Sequence, residues 1–153
     1  MRRTGLSYRF VEFIPERLEE GVLYISQRYS TAAHKCCCGC GEEVITPLTP
    51  TDWSVQTDGN VVSLYPSIGN WSFACRSHYW IYRGNVIWAG DMTQQEIERG
   101  RAINRAAKQA YFQSVNQEKL TGSHKPSAYD SSPSKGTGLL YSLWLAIKRL
   151  WNS

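Results

Sequence analysis

The period-two signal starts at Tyr8, where Tyr8, Phe10, Glu12 and Ile14 alternate with Arg9, Val11 and Phe13, the pattern of a strand of some seven residues. Pro15 stops it, and a short polar connection leads to Gly21-Val22-Leu23-Tyr24-Ile25-Ser26, a second strand dense in β-formers. Val44-Ile45-Thr46-Pro47-Leu48 is short and limited by its proline. Trp53-Ser54-Val55-Gln56 and Val61-Val62-Ser63-Leu64-Tyr65 flank Asp58-Gly59-Asn60, a strong turn signal, and predict a hairpin. Pro66-Ser67-Ile68-Gly69-Asn70-Trp71 interrupts the pattern and Ser72-Phe73-Ala74-Cys75 resumes it. Tyr79-Trp80-Ile81-Tyr82 and Asn85-Val86-Ile87-Trp88 then form a last hairpin around Arg83-Gly84. The pattern predicts a mainly β fold with α additions, its first part a small antiparallel β-domain within residues 1–92.

After residue 92 the period changes. Thr93-Gln94-Gln95-Glu96 has the spacing of a capping box, and the stretch through about Phe112 is rich in helix formers, with Ile97, Ile103, Ala106, Ala107, Ala110 and Tyr111 as a loose apolar face. Gly100 weakens this helix by about 1 kcal/mol relative to Ala. The helical segment is placed at 93–120, packing on or extending the β-domain. Residues 121–138 are Ser, Gly, Pro and Lys with almost no apolar side chains, which predicts a flexible linker. In 139–153, Leu140, Leu143, Trp144, Ile147, Leu150 and Trp151 recur at helical spacing, an amphipathic helix on a tether.

Composition sharpens this picture. A chain of 153 residues that is 42% hydrophobic and 12% aromatic is too apolar and ring-rich to stay disordered, so a folded core is expected. No apolar run approaches the roughly 18 to 20 residues of a spanning helix. Met1-Arg2-Arg3-Thr4-Gly5 is no apolar signal core, and a cytoplasmic protein is expected. The net charge of +4 divides into 13 − 12 = +1 over residues 1–120 and 4 − 1 = +3 over 121–153. A nucleic-acid-binding core concentrates Lys and Arg on one face of the folded unit, and this distribution speaks against one.

The candidate chemistry is in the cysteines. Cys36, Cys37, Cys38 and Cys40 fall within five positions, and Cys75-Arg76-Ser77-His78 follows. Thiols clustered this closely in a reducing compartment point to a metal rather than a disulfide framework. Side chains two apart in an extended turn face one way, so Cys36, Cys38 and Cys40 converge while Cys37 points away, with Gly39 and Gly41 giving the backbone freedom to wrap an ion. Cys75 supplies a fourth sulfur. Alternative shells use His78 or His34, and sulfur and imidazole in this number suit tetrahedral zinc. Cys-x-Cys followed by Cys-x-x-His on a β-scaffold also resembles the ligand loops of Rieske-type iron–sulfur domains, although such a site needs Cys-x-His in its first loop.

The motifs His34-x-Cys36-x-Cys38-Gly39-Cys40-Gly41, Val44-x-x-Pro47-Leu48, Trp53-Ser54, Ser63-Leu64-x-Pro66-Ser67-Ile68-Gly69-Asn70-Trp71 and Cys75-x-Ser77-His78-Tyr79-Trp80-Ile81 carry a further resemblance. They are similar to a small bacterial family, long classed only as a domain of unknown function. Some of its members sit in operons with ubiquitin-like modifiers and their E1-like and E2-like enzymes. The resemblance covers about residues 8–90 and excludes the linker and terminal helix. It implies a zinc-containing peptidase, deubiquitinase-like, that matures or removes a ubiquitin-like modifier in a pathway tied to defence against phage. The modifier, its conjugates and the E1-like and E2-like enzymes are the partners it implies.

Two chemical routes are open to such a peptidase. A metallopeptidase needs an open position on its zinc and a carboxylate base, for which Glu42 or Glu43 stands beside the ligand loop. A serine peptidase needs a hydroxyl paired with an imidazole, with the zinc as a closed structural ion. Ser67, on a constrained turn, is the preferred nucleophile over Ser72 and Ser77, with His78 as its base and His34 as the alternative. Cys37, left over from the ligand alternation, is a lesser nucleophile candidate. No HExxH or GxSxG motif occurs. A non-enzymatic zinc module using Trp71, Tyr79 and Trp80 as contacts is the competing reading.

Overall fold

The computed structural model describes residues 1–120. The expected linker at 121–138 and amphipathic helix at 139–153 lie outside the described residues. Met1–Gln117 form one compact unit. Its elements are β1 (Ser7–Phe10), β2 (Val22–Ser26), β3 (Thr31–Lys35), β4 (Glu43–Pro47), β5 (Ser54–Asp58), β6 (Val61–Gly69), β7 (His78–Tyr82), β8 (Asn85–Trp88) and α1 (Gln94–Leu120).

The strands form two four-stranded sheets, in the orders β1-β2-β3-β4 and β5-β6-β7-β8. Both are antiparallel except that β1 runs parallel to β2, from Ser7 opposite Val22 to Phe10 opposite Ile25. Leu23, Ile25, Ala32 and Val44 of the first sheet meet Val62, Leu64, Ile68, Tyr79, Ile81 and Val86 of the second in one buried core. Fully burying side chains of this size contributes about 1.5–3 kcal/mol each for the larger members. All five residues of β2 are buried because its other face is covered too: Val22 and Tyr24 pack with Leu18 and Ala33, against Val11 and Ile14. The first predicted strand therefore stops early at Phe10, and residues 11–18 cross the outer face of the sheet.

Both predicted hairpins form. Asp58 pairs with Val61 around Gly59-Asn60, and Tyr82 pairs with Asn85 around Arg83 and Gly84, whose φ angles are 47° and 76°, as a tight two-residue turn of this hand requires. Ser72–Cys75 is a loop rather than a strand, closed by Phe73 N–H to the Asn70 carbonyl at 3.1 Å and Arg76 N–H to the Phe73 carbonyl at 3.0 Å. Pro66–Gly69 continues β6 instead of interrupting it. Between Leu64 opposite Ile81 and Ile68 opposite Tyr79, β6 uses four steps where β7 uses two, so the ladder carries two extra residues there. Such a bulge re-aims the side chains it contains, and Ser67 is one of them. β5 begins at Ser54, opposite Tyr65, so Pro66–Gly69 runs past the end of β5.

The capping box opens α1 as expected: Thr93 N–H donates to Glu96 Oε2 at 2.7 Å, and Glu96 N–H donates to Thr93 Oγ1 at 3.3 Å. The helix runs to Leu120, eight residues past Phe112, where the stretch richest in helix formers ends, and Ile97 is the buried residue that seats it. Ile103 and Tyr111, expected on an apolar face, are exposed. Among the described residues no helix is long and apolar enough to cross a membrane.

Candidate functional site

Two loops at one end of the sheets bring four thiols together. Cys36, Cys38 and Cys40 lie between β3 and β4, Cys75 lies between β6 and β7, and all four Sγ atoms fall within 4.8 Å of one another. Gly39 and Gly41, at φ 83° and 88°, let the first loop curl. Cys36 is 3.4 Å from Cys38 and 3.9 Å from Cys75, and Cys40 is 3.8 Å from Cys75. Four sulfurs at zinc–thiolate bond length on a tetrahedron stand about 3.8 Å apart, so the donor set fits a single tetrahedral ion in chemistry and in size. Cys37 points into the core and is fully buried, and burial pushes its thiol up to about 12. Ser77 organises the sulfurs: its Oγ lies 3.1 Å from Cys36 Sγ and 3.5 Å from Cys75 Sγ. Burial pushes the Cys75 thiol up, but the hydroxyl and backbone N–H of Ser77 outweigh it and bring it down to about 7.

Beside the thiols, on the face of the second sheet away from the core, stands a serine–histidine pair. His78 begins β7, where Tyr79 and Ile81 point inward and His78 and Trp80 point outward. Ser67 Oγ lies 3.1 Å from His78 Nε2, and His78 Nδ1 lies 3.0 Å from the Gly90 carbonyl oxygen. A carbonyl can only accept, so Nδ1 carries the proton and Nε2 is left with its lone pair toward the serine hydroxyl. That is the tautomer a general base needs. Two indoles hold the ring: Trp71 edge-on at 5.0 Å between centroids and Trp80 tilted at 5.3 Å. Asp91, next to Gly90, is engaged by Arg76, which donates from Nη2 to Oδ1 at 3.0 Å and from Nε to Oδ2 at 3.4 Å. The Arg76 hydrogen bonds hold the Asp91 carboxyl below its ordinary range.

A protein-family description, bacterial ubiquitination-like system serine protease (BubE), matches residues 10–89, which is 80 of the 153 residues. The chain belongs to this family. No curated protein and no solved structure matches it. Membership agrees with the family resemblance carried by the motifs and corrects the expected chemistry. The BubE family is one of serine proteases, so the reading of the chain as a zinc peptidase does not stand.

The geometry agrees with that correction at each residue concerned. Glu43, the candidate base of the metal route, lies 3.4 Å from Lys35 in an ion pair across β3 and β4, and Glu42 is exposed. Neither histidine belongs to the thiol group: the shell of Cys36, Cys38, Cys40 and Cys75 is the one brought together, and the shells drawing on His78 or His34 are not. A Rieske centre, which needs two imidazoles on one iron, has no counterpart in this group. His34 is also unsuited to be the alternative base. It is fully buried with Nε2 2.9 Å from the Tyr79 hydroxyl, and burial holds its imidazole down to about 4. Tyr79 is core rather than a surface contact, while Trp71 and Trp80 are half-buried around His78. Two contacts escape sequence reasoning: the Gly90 carbonyl on His78 leaves no mark in a side-chain pattern, and neither does the hydrogen bond of Asn70 Nδ2 to Ser77 Oγ at 2.9 Å.

Proposed function

We propose that the chain is a serine peptidase in which Ser67 is the nucleophile and His78 the general base, acting on the C-terminal tail of a ubiquitin-like modifier or its conjugates in the cytoplasm. The observation that carries this reading is the 3.1 Å approach of Ser67 Oγ to His78 Nε2 with Nδ1 committed to the Gly90 carbonyl. As Oγ attacks the scissile carbonyl carbon, its proton passes to Nε2, and the imidazolium is steadied at Nδ1 by Gly90. The proton then moves to the leaving amine as the peptide C–N bond breaks. Water, deprotonated at the same Nε2, cleaves the acyl–Ser67 ester. The carbonyl takes the orienting place that a carboxylate has in a Ser-His-Asp triad. An extended tail fits β-strand addition along Pro66–Gly69, past the end of β5, which carries its backbone across Ser67.

The four-thiol group suits zinc, which when bound supplies a closed structural cross-link with every position taken by sulfur. The test is cleavage of a ubiquitin-like precursor bearing residues beyond its mature C-terminus. Ser67→Ala is expected to lower turnover by about 10⁴-fold or more, and His78→Ala by about 10²- to 10⁴-fold. Undiminished cleavage by Ser67→Ala sinks the assignment. Tight binding of the precursor without turnover by the unaltered chain would favour a binding module that uses Trp71 and Trp80.

A further inference from the structure

The thiol group and the serine–histidine pair share two segments of chain. Ser67–Asn70, at the end of β6, carries the nucleophile at one end and Asn70 at the other. Cys75–His78, leading into β7, carries a metal ligand at one end and the base at the other. Gly69 pairs with His78 in register, so the relative placement of these segments sets the distance between Oγ and Nε2. Asn70 ties them twice: its backbone N–H donates to the Ser77 carbonyl at 2.9 Å, and its side-chain Nδ2 donates to Ser77 Oγ at 2.9 Å. The same Nδ2 reaches Cys36 Sγ at 3.6 Å.

Hydrogen-bond bookkeeping shows why an amide is needed. The Ser77 hydroxyl has one proton; accepting from Nδ2 leaves that proton free for sulfur, and Cys36 Sγ lies 3.1 Å away. The second N–H of the amide covers Cys36 as well. Asn70 is buried, so these donors have no water to replace them. An aspartate of the same shape offers acceptors only. Outer partners of this kind fix the orientation of metal ligands and are felt in metal affinity.

We propose that Asn70 is a positioning residue that couples the thiolate cluster to the Ser67–His78 pair, so that metal binding and nucleophile reactivity rise and fall together. The proposal rests on the serine-peptidase reading. It acts through Ser77 and Cys36 on one side and through the Gly69–His78 register on the other, and Asn70 itself touches no substrate.

The experiment uses the full chain loaded with zinc and two readouts. One is zinc retention against a chromophoric chelator. The other is the rate at which a fluorophosphonate probe labels Ser67, where the Oγ–P bond forms, fluoride leaves and the proton goes to His78. Asn70→Asp is expected to weaken zinc retention by about 10- to 100-fold and to slow labelling by about tenfold or more. Stripping zinc is expected to slow labelling of the unaltered chain to a similar degree and to add little in Asn70→Asp, the non-additivity expected of coupled groups. Zinc retention in Asn70→Asp within twofold of the unaltered chain overturns the proposal, as does labelling of the unaltered chain that ignores zinc. If Asn70→Asp loses its circular dichroism, Ser77→Ala carries the same two readouts in the same direction, and no change in either overturns the coupling. Ser67→Ala that labels at full rate marks a failure of the underlying serine assignment, seen separately, and the coupling falls with it.

Discussion

A methyl group at Gly69 would land 2.4 Å from Trp71 Nε1 and 2.6 Å from its Cε2, so the indole lies directly on the backbone opposite His78. No other residue leaves room for a ring that both covers this strand and meets the imidazole edge-on. Gly69→Ala is expected to displace Trp71, cost about 1–3 kcal/mol if the surroundings resist, and reduce precursor cleavage by about tenfold. Parallel measurement of turnover and melting temperature checks it, and full activity would show that activity does not depend on the Trp71 contact with the His78 ring. At this scale much of the site was legible. Cys36, Cys38 and Cys40 converge with Cys37 left out as the spacing suggested, although through a turn closed by Gly39 N–H to the Cys36 carbonyl at 3.0 Å rather than through extended backbone, and Ser67 and His78 stood out by type and by family motif. The contacts of Asn70 and Gly90 were illegible because they rest on one buried amide and one backbone oxygen, which only tertiary placement defines.

Elements were legible where local chemistry decides them. The two tight turns and the capping box sit where their residues put them. β3 was missed because Thr31-Ala32-Ala33-His34-Lys35 lacks bulky β-formers, yet small residues suit a strand buried on both faces, with Ala32 in one core and Ala33 in the other. Ser72–Cys75 had the composition of a strand but closes as turns that bring Cys75 to the other three thiols. The length of α1 reflects propensity more than burial, and beyond Ile97 an ion pair between Lys108 Nζ and Asp52 Oδ1 at 2.6 Å anchors its middle. Burial works to raise the Asp52 carboxyl, but hydrogen bonds from Lys108 and Thr49 outweigh it and hold it below its ordinary value. The native state therefore binds fewer protons than the unfolded chain in that window. The contribution of the pair is full above the unfolded carboxylate range and is lost as pH falls through the lowered native value. Asp52→Asn is expected to lower the melting temperature near neutral pH and to converge with the unaltered chain in acid, read from melts between pH 3 and 7.

For the whole molecule, the placement of the thiols matters more than their number. Cys36, Cys38 and Cys40 belong to the loop of one sheet and Cys75 to a loop of the other, so an ion held by all four joins the two sheets at the end where Ser67 and His78 sit. A cross-link closing a loop of this length, from Cys40 to Cys75, is worth about 4 kcal/mol in chain entropy. Chelation is accordingly expected to lower the melting temperature by roughly 10–20 °C, with restoration on adding zinc; a melt indifferent to chelator would remove the cross-link. Composition had pointed to a folded core, but a sandwich with one parallel pair of strands was beyond it, because pairing between β1 and β2 depends on the path of residues 11–18 across the sheet.

The order of the ligands along the chain adds a consequence in time. Three thiols emerge early in synthesis, Ser67 follows, and the last thiol precedes His78 by three residues. A nascent chain therefore gains the last of the four grouped thiols and the imidazole that faces Ser67 in almost the same moment of translation, so neither group can assemble much before the other.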